Sequence, residues 1–307
     1  MSPTEFRTLM VALDGSEFSE GALEPATDLA RRSGARVHLV SVHERGPGWA
    51  SDFWPTPEMD RWREEYLAKV AEAVASEAGV EVTTALPKAG DVPEALLAQA
   101  EEAGADLLVL SSHGRGRISR SWLGNVAASV LHDARIPLLV VRPPEDAGEE
   151  AVRPSPWREP GKILVALDGT PESEAVMEPV LRMAGVYGAS LHLVRVAPFP
   201  RAYSSPYIPH AIQINKDVVN AEEKEARAYL EDVRERRVPD GVEAELAVVV
   251  TAQPARGILA EAAESDAEVL ALATHHGALR RFALGSTADK VVRSSAKPVL
   301  VVRPDHG

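Results

Sequence analysis

Residues 107–125 read LLVLSSHGRGRISRSWLGN, and this stretch decides how the chain folds. Its start, residues 107–110, is a short apolar run typical of a strand that is buried on both faces. A loop rich in glycine and arginine follows, and Gly124 and Asn125 mark the start of a helix. Such a loop directs several backbone N–H groups at one point beside a helix N-terminus, which favours a phosphate group there.

A second, altered copy of this stretch, LALATHHGALRRFALGS, occupies residues 270–286. MVALDGSEFSE at Met10 likewise matches LVALDGTPESE at Leu164. Repeats of this length indicate one duplicated domain. We therefore expect a first domain over residues 1–143, a linker over 144–161 and a second domain over 162–307. The linker is rich in proline and acidic residues, which predicts an extended and exposed segment.

Within each copy, apolar runs alternate with helical patterns. In the first copy the pattern predicts strands at 8–13, 37–42, 80–86, 107–110 and 137–141, and helices at 17–32, 57–78, 92–103 and about 119–132. In the second copy it predicts strands at 163–167, 191–196, 243–250, 269–273 and 299–302. The alternation predicts an α/β fold of two tandem doubly wound domains, each a parallel sheet with helices on both faces. Ligands of such sheets bind beyond the carboxyl ends of the strands.

Composition narrows the class of protein. The chain has no cysteine, which excludes disulfides and thiolate chemistry, and its formal net charge is −13. That charge argues against binding to nucleic acid or to anionic membranes. The chain starts without a signal-peptide pattern and contains no apolar run long enough to span a membrane, so we expect a cytoplasmic location.

Four marks, in order and duplicated, resemble the universal stress protein family in its tandem two-domain form. They are a first strand that ends in VALDG followed by Ser or Thr, a fourth strand that runs into Ser or Thr and His, a helix entered through Leu-Gly, and a final strand ending in LVVR. The resemblance implies a Rossmann-like fold of the adenine nucleotide alpha hydrolase type, with five strands in each domain. It also implies that domains pair about a two-fold axis, often through the last strands, and we expect a homodimer.

The ATP-binding branch of the family carries a glycine, two residues, a second glycine, nine residues, and then glycine with Ser or Thr. The first copy keeps this spacing, but Ser111 replaces the first glycine and Asn125 replaces the final Ser or Thr. The second copy keeps Gly285 and Ser286, yet it has lost two glycines and one residue of the loop. The sequence therefore favours the first site for ATP, with Mg²⁺ as a possible companion ion, over the second.

The resemblance implies the following cofactor-binding residues. Asp14 and Asp168 would face the adenosine, and Val42 and Val196 would contact the adenine, although a capping aspartate and a core valine explain them as well. The full set of candidates is Ala12, Asp14, Val42, Leu110, Ser111, Gly114, Arg115, Gly124, Asn125, Val126, Asp168, Val196, Ala273, Gly285, Ser286 and Thr287.

Other residues invite a functional interpretation without a motif to carry it. His113 and His275 have no partner for catalysis or metal binding at a suitable spacing, and His38 and His192 fall inside strands, where a structural role is expected. Arg117, Arg120, Arg280 and Arg281 suit a triphosphate or a solvated loop edge equally well. The aromatic segment with Trp49, Phe53, Trp54 and Trp62 favours a contact between domains or subunits over a lid.

Three classes of function remain to be compared. A nucleotide-binding stress-response sensor fits best, and a module that works only through contacts with an unknown regulatory protein is the alternative. An ATP-using metabolic enzyme fits least, because no phosphate-loop, pyrophosphatase or adenylyl-transfer motif is present. We therefore expect no catalytic residues and no metal site, and we leave slow ATP hydrolysis or autophosphorylation open.

Overall fold

The structure is a computed structural model that describes residues 5–44, 56–112, 123–142, 157–198, 211–274 and 285–304. The strands are β1 Thr8–Ala12, β2 Arg36–Val40, β3 His43–Glu44, β4 Val82–Ala85, β5 Lys88–Ala89, β6 Leu107–Ser111, β7 Leu138–Val141, β8 Lys162–Leu167, β9 Ser190–Pro198, β10 Ala244–Thr251, β11 Val269–Ala273 and β12 Val299–Val302. The helices are α1 Glu17–Glu20, α2 Leu23–Ser33, α3 Pro57–Ala78, α4 Val92–Glu102, α5 Asn125–Asp133, α6 Met177–Tyr187, α7 Ala211–Arg237, α8 Pro254–Glu264 and α9 Ser286–Ser294.

Ten of these strands form one sheet in the order β10-β9-β8-β11-β12-β7-β6-β1-β2-β4. Five parallel strands come from each copy, which confirms the predicted doubly wound α/β fold. The two halves join where β7 pairs with β12 in antiparallel orientation, with Leu139 opposite Leu300. The last strands of the two copies therefore unite the domains, as the resemblance implied.

Alternate residues of each strand face two separate apolar layers. Leu9, Val11 and Leu139 pack with α2, α3 and α6 on one face of the sheet. Met10, Leu108 and Val140 pack with α4, α5 and α8 on the other. Each layer contains residues of both copies, so the apolar core continues across the junction of β7 and β12.

The junction is reinforced by two equivalent arginines. Arg142, which follows β7, donates from Nη1 to the carbonyl oxygens of Arg293 and Ser295 at the end of α9. Arg303, which follows β12, donates from Nη1 to the carbonyl oxygen of His132 in α5. Cationic donors satisfy the last carbonyls of a helix and interact favourably with its dipole. Each domain thus caps a helix of the other.

The helix predicted over residues 17–32 is wrong in one respect, because it is two helices. Ser16 caps α1, with its hydroxyl accepting from the Ser19 N–H at 3.2 Å, and Gly34 ends α2 at a φ of +75°. Pro25 explains the break, since in a continuous helix its ring would clash with the carbonyl of Gly21, and it has no N–H for that carbonyl. The second copy has Pro179 at the same place, after a 3₁₀ turn over Ser173–Val176.

The end of the linker differs from the prediction of an exposed segment. Trp157 is half-buried, and its indole Nε1 donates to Asp28 Oδ2 at 3.1 Å. The hydroxyl of Tyr187 donates to the same oxygen at 3.0 Å, and the two rings lie 6.3 Å apart. An aromatic ring that also carries a donor gains from such a site, so the residues before the second domain dock between α2 and α6.

Candidate functional site

The candidate site of the first domain lies at the carboxyl ends of β1 and β6, which are neighbours in the sheet although they are distant in sequence. Strand order reverses between these two strands, which is where doubly wound sheets bind ligands. Ala12 and Leu110 end the two strands, and Gly124 precedes α5. Because β7 and β12 are antiparallel, the strands of the two domains run in opposite directions. The carboxyl ends of β8 and β11 therefore lie at the end of the ten-stranded sheet opposite to those of β1 and β6. The two candidate sites are therefore separate.

Asp14 builds the turn that follows β1. Its Oδ1 accepts from the N–H of Ser16 at 2.9 Å and from the Ser16 hydroxyl at 2.5 Å. Gly15 between them has a φ of +80°, a conformation that glycine adopts without strain. The helix cap itself is Ser16, so the alternative interpretation of Asp14 as the capping residue is replaced by a role in the turn.

Asp168 repeats this turn in the second copy. Its Oδ1 accepts from the N–H of Thr170 at 2.9 Å and from the Thr170 hydroxyl at 2.6 Å, and Gly169 has a φ of +96°. The duplicated VALDG motif therefore encodes a duplicated turn geometry. This turn holds one carboxylate oxygen in a fixed position at the carboxyl edge of each half of the sheet.

The start of α5 is the second part of the first site. Gly124 is its N-cap residue, with φ −57° and ψ 147°, and no side chain of the described residues caps the helix. The first N–H groups of a helix lack intrahelical acceptors, so those of Asn125 and Val126 need acceptors from outside the helix. Both residues are exposed. The dipole of α5 adds a positive potential at the same place.

A backbone hydrogen bond closes the loop that joins β6 to α5. The N–H of Gly124 donates to the carbonyl oxygen of Ser112 at 2.8 Å, and the N–H of Ser112 donates to Val141 in β7 at 2.8 Å. The two ends of the glycine- and arginine-rich loop are thereby held together against the sheet. The loop itself, residues 113–122, lies outside the described residues, and with it lie Gly114, Arg115, Arg117, Arg120 and His113.

The predicted residues of the second site occupy equivalent positions. Ala273 ends β11, Gly285 precedes α9, and Ser286 and Thr287 begin that helix. Residues 275–284, which include His275, Arg280 and Arg281, lie outside the described residues. Val42 is buried and Val196 is half-buried at the ends of β2 and β9, in the apolar layer formed with α4 and α8.

A guanidinium group lies beside the aspartate turn of the second domain. Arg195, in β9, places its Cζ 2.9 Å from the point where a Cβ of Gly169 would lie. The same group lies 5.0 Å from the centre of the Tyr229 ring, a cation–π contact. The position of Arg195 in the repeat is held in the first copy by Ser41, which is fully buried and accepts from Arg63 Nη1 at 2.8 Å. Each domain thus has a guanidinium group at this position, from β9 in the second domain and from α3 in the first.

Two tyrosine–glutamate pairs were missed by sequence reasoning. The hydroxyl of Tyr66 in α3 donates to Glu20 Oε1 at 3.0 Å, and that of Tyr229 in α7 donates to Glu174 Oε1 at 3.4 Å. Burial, followed by the nearby carboxylates, raises the pKa of Tyr66 and raises the pKa of Tyr229 to about 12. The recurrence of Glu20 and Glu174 in the repeat was the available signal. The pairs tie the long helix of each domain to the turn after its first strand.

Sequence reasoning also missed a cluster of His43, Asp60 and Lys88 in the first domain, which does not recur in the second. His43, fully buried after β2, meets the carboxylate of Asp60 through Nδ1, and Lys88 Nζ lies 2.7 Å from Asp60 Oδ2. Burial lowers the pKa of His43 against the opposing effect of Asp60. The hydrogen bond from Lys88 is the main cause that lowers the pKa of Asp60. The second copy has Ala197 at the position of His43. The cluster therefore does not recur in the repeat, and no repeated sequence pattern marks it.

The remaining candidate residues that the structure describes contact neighbouring side chains of the fold. His38 and His192 lie in the sheet as predicted, where His38 Nδ1 is 2.8 Å from Thr83 Oγ1 and His192 Nε2 is 2.7 Å from Glu261 Oε1. Trp62, assigned to an aromatic loop, lies on α3 with its ring stacked on Tyr66 at 5.6 Å. Trp49, Phe53 and Trp54 lie outside the described residues. Within the described part of the chain, no helix combines the length and the apolarity that a membrane crossing requires.

The fold and the site define a class of protein: a duplicated, doubly wound α/β protein with an aspartate turn and a helix N-terminus at each strand-order reversal. The family model of the universal stress protein family matches residues 5–142 and 160–303. The chain belongs to the universal stress protein family.

Relatives and solved structures are similar over nearly the full chain. A universal stress protein of Mycobacterium tuberculosis is 28% identical over 98% of this chain and 98% of its own length. The crystal structure of a universal stress protein from Archaeoglobus fulgidus has a TM-score of 0.66 and 21% identity, and it covers 98% of each chain. A functionally unknown protein from Pseudomonas aeruginosa has a TM-score of 0.69 and 19% identity, over 99% of this chain and 94% of that chain. These two structures show the fold.

Proposed function

We propose that this chain is a cytoplasmic stress-response protein that binds an adenine nucleotide, ATP with Mg²⁺, at the first site and acts as a sensor without being a metabolic enzyme. The observation that carries the proposal is the hydrogen bond from Gly124 N–H to the Ser112 carbonyl at 2.8 Å. It holds both ends of the glycine- and arginine-rich loop beside the N-terminus of α5. A closed loop with free N–H groups at a helix N-terminus is suited to phosphate.

The adenosine would lie against the turn fixed by Asp14, with Val42 and Ala12 on its apolar side and Leu110 and Ser111 next to the phosphates. Gly114, Arg115, Asn125 and Val126 would complete the phosphate site. The second site, with Asp168, Val196, Ala273, Gly285, Ser286 and Thr287, ranks lower because its loop is one residue shorter. We keep the proposed domain bounds, 1–143 and 162–307.

The first prediction concerns Gly124. A Cβ at this residue would lie 3.4 Å from the Ser112 carbonyl oxygen, so the two methyl groups of valine would crowd the closing hydrogen bond and the entry to the helix N-terminus. We expect Gly124→Val to weaken ATP–Mg²⁺ binding by at least about tenfold, the cost of a little over 1 kcal/mol. Titration calorimetry of nucleotide-free protein gives the affinity, and mass spectrometry of the denatured protein identifies co-purified nucleotide.

Gly285→Val is the matched control, because it makes the same change at the second site. We expect it to leave the affinity of the first site unchanged, and circular dichroism shows whether both variants fold. Binding that survives Gly124→Val and is lost in Gly285→Val would reverse the ranking of the sites. Absence of both bound nucleotide and heat at high ATP would refute the proposal and favour a protein that acts only through protein contacts.

A further inference from the structure

The two outer edges of the ten-stranded sheet differ in length and chemistry. β4 ends the sheet in the first domain with four residues, VTTA, and β10 ends it in the second domain with eight, AELAVVVT. Among the described strands, none pairs with the outer edge of either. A long apolar edge strand offers a row of backbone donors and acceptors to another strand.

One hydrogen bond shows which residues of β10 direct their backbone N–H and C=O groups away from β9. Leu191 N–H in β9 donates to the Glu243 carbonyl at 2.8 Å, so the backbone of Glu243 faces β9. Since successive residues of a strand point their backbone groups to opposite sides, every second residue of β10 faces outward. The outward residues are Ala244, Leu246, Val248 and Val250.

Two of the usual protections of an edge strand, proline and a charged side chain directed outward, are missing from β10. The strand contains no proline and one charged residue, Glu245. The Glu245 carboxylate is directed inward across the sheet, where Oε2 lies 3.0 Å from Lys162 Nζ and 3.2 Å from His192 Nδ1. Charges and prolines on edges are the devices that prevent strands from pairing between molecules.

We propose that β10 is a self-association surface, and that it pairs with β10 of a second copy in antiparallel orientation about a two-fold axis through Ala247. In this register Ala244 is opposite Val250 of the second copy, and Leu246 is opposite Val248. All the outward residues then form hydrogen-bonded pairs, each of which exchanges two backbone bonds. The single charged residue, Glu245, lies opposite Val249, so no like charges meet. At the axis, where the chains approach most closely, stands the small side chain of Ala247.

The helices allow the same contact. α7 packs over both β9 and β10, and strands lie about 4.8 Å apart, so the two α7 helices would run about 10 Å apart, near the normal spacing of packed helices. They would be antiparallel. The exposed Glu223 of one helix would then pass the exposed Arg234 of the other, whereas Glu225, Arg236 and Arg237 already bond within the chain to Arg195 and Glu174. Opposite charges along the contact favour this orientation over others.

The test is the mass of the protein in solution, by light scattering after size-exclusion chromatography over a hundredfold range of concentration. We expect a shift with concentration from the 33.0 kDa chain to its dimer. Val248→Pro removes one outward N–H and should weaken self-association at least tenfold, since proline is accepted on an edge whose N–H is not bonded within the chain. Thr84→Pro is the matched control. It removes an outward N–H from β4, the other edge, and should leave the dimer unchanged.

Hydrogen exchange of the wild-type protein provides a second readout that needs no variant. We expect the amides of residues 244–251 to be better protected at high concentration than at low, and those of residues 82–85 to be unaffected. A chain that remains monomeric throughout the range overturns the proposal. So does a dimer that persists in folded Val248→Pro, or one in which the amides of residues 244–251 gain no protection.

Discussion

At the scale of single residues, the hydroxyls of half-buried tyrosines fix the long helices in place. Tyr229 donates to Glu174, whose Oε1 also lies 3.1 Å from Arg236 Nη2. Glu174 therefore joins the 3₁₀ turn after β8 to two points on α7. In the first domain Tyr66 and Glu20 make the equivalent bond. These contacts keep the turn with the site aspartate aligned with the layer behind it.

The raised pKa of Tyr229 makes stability depend on alkaline pH. Its phenol ionises near pH 10.0 in the unfolded chain and near 12 in the folded protein. The folded state therefore holds the proton more tightly, so this contribution is complete below pH 10.0 and is lost as the pH rises through about 12. We expect the free energy of unfolding in urea to fall over this interval. Tyr229→Phe should lower it at pH 8 already and flatten its alkaline slope, and equal slopes in the two proteins would contradict the assignment.

The sequence predicted residues of this kind unevenly. Asp14 and Asp168 were identified because the VALDG motif recurs, and both form the same turn. His43 and Asp60 were missed because they lie on different elements and the second copy lacks the pair. Trp157 was assigned to an exposed linker because that prediction rested on the proline and acidic content of the whole segment, which does not describe a single residue. A contact with Asp28 and Tyr187, far away in sequence, leaves no local pattern.

At the scale of elements, two glycines in helices have opposite surroundings. Gly257 in α8 faces β10 so closely that a Cβ would lie 2.8 Å from Thr251 Cγ2 and 3.0 Å from Val249 Cγ1. Gly185 in α6 is exposed, and a Cβ there would meet no atom within 4 Å. Both residues look alike in sequence. Only the packing distinguishes a glycine that allows close approach from one that merely lowers helix propensity.

Alanine at these two positions should therefore change stability in opposite directions. We expect Gly185→Ala to raise the free energy of unfolding by about 0.5–1 kcal/mol, the gain in helix propensity. Gly257→Ala should lower it by about 1–3 kcal/mol, because overpacking against β10 outweighs the same gain. Chemical denaturation followed by circular dichroism measures both. An increase in stability for Gly257→Ala would show that α8 can move away from β10 at little cost.

Element types followed from the sequence, while several limits did not. α3 has the predicted bounds and α4 begins at the predicted residue, since Pro57, Gly79 and the capping Asp91 are local signals. The break between α1 and α2 was missed, although Pro25 in the sequence marks it. The short extra pair of β3 and β5 has no apolar pattern to predict it. Apolar periodicity identifies elements that bury a face, and it says little about pieces of two residues.

At the scale of the whole molecule, the duplication yields one sheet with two distant sites. The repeat and the apolar last strands predicted paired domains, and the structure joins them through β7 and β12. Both apolar layers continue across this junction. The candidate sites lie at opposite ends of the strands because the strands of the two halves run in opposite directions. A signal from one site to the other would therefore have to cross the shared core.

The shared core predicts that both domains unfold together. Arg142 is buried, and it links the end of β7 to the last carbonyls of α9 in the other domain. Its loss leaves those carbonyls without their charged donor, so we expect Arg142→Ala to lower the free energy of unfolding by about 2–3 kcal/mol. The exposed Arg158 is the control, and Arg158→Ala should change it by less than about 0.5 kcal/mol.

Calorimetry should show one transition, displaced to lower temperature in Arg142→Ala, with hydrogen exchange rising in both halves. Two separate transitions, with only the second domain affected, would mean that the halves fold independently despite their common sheet.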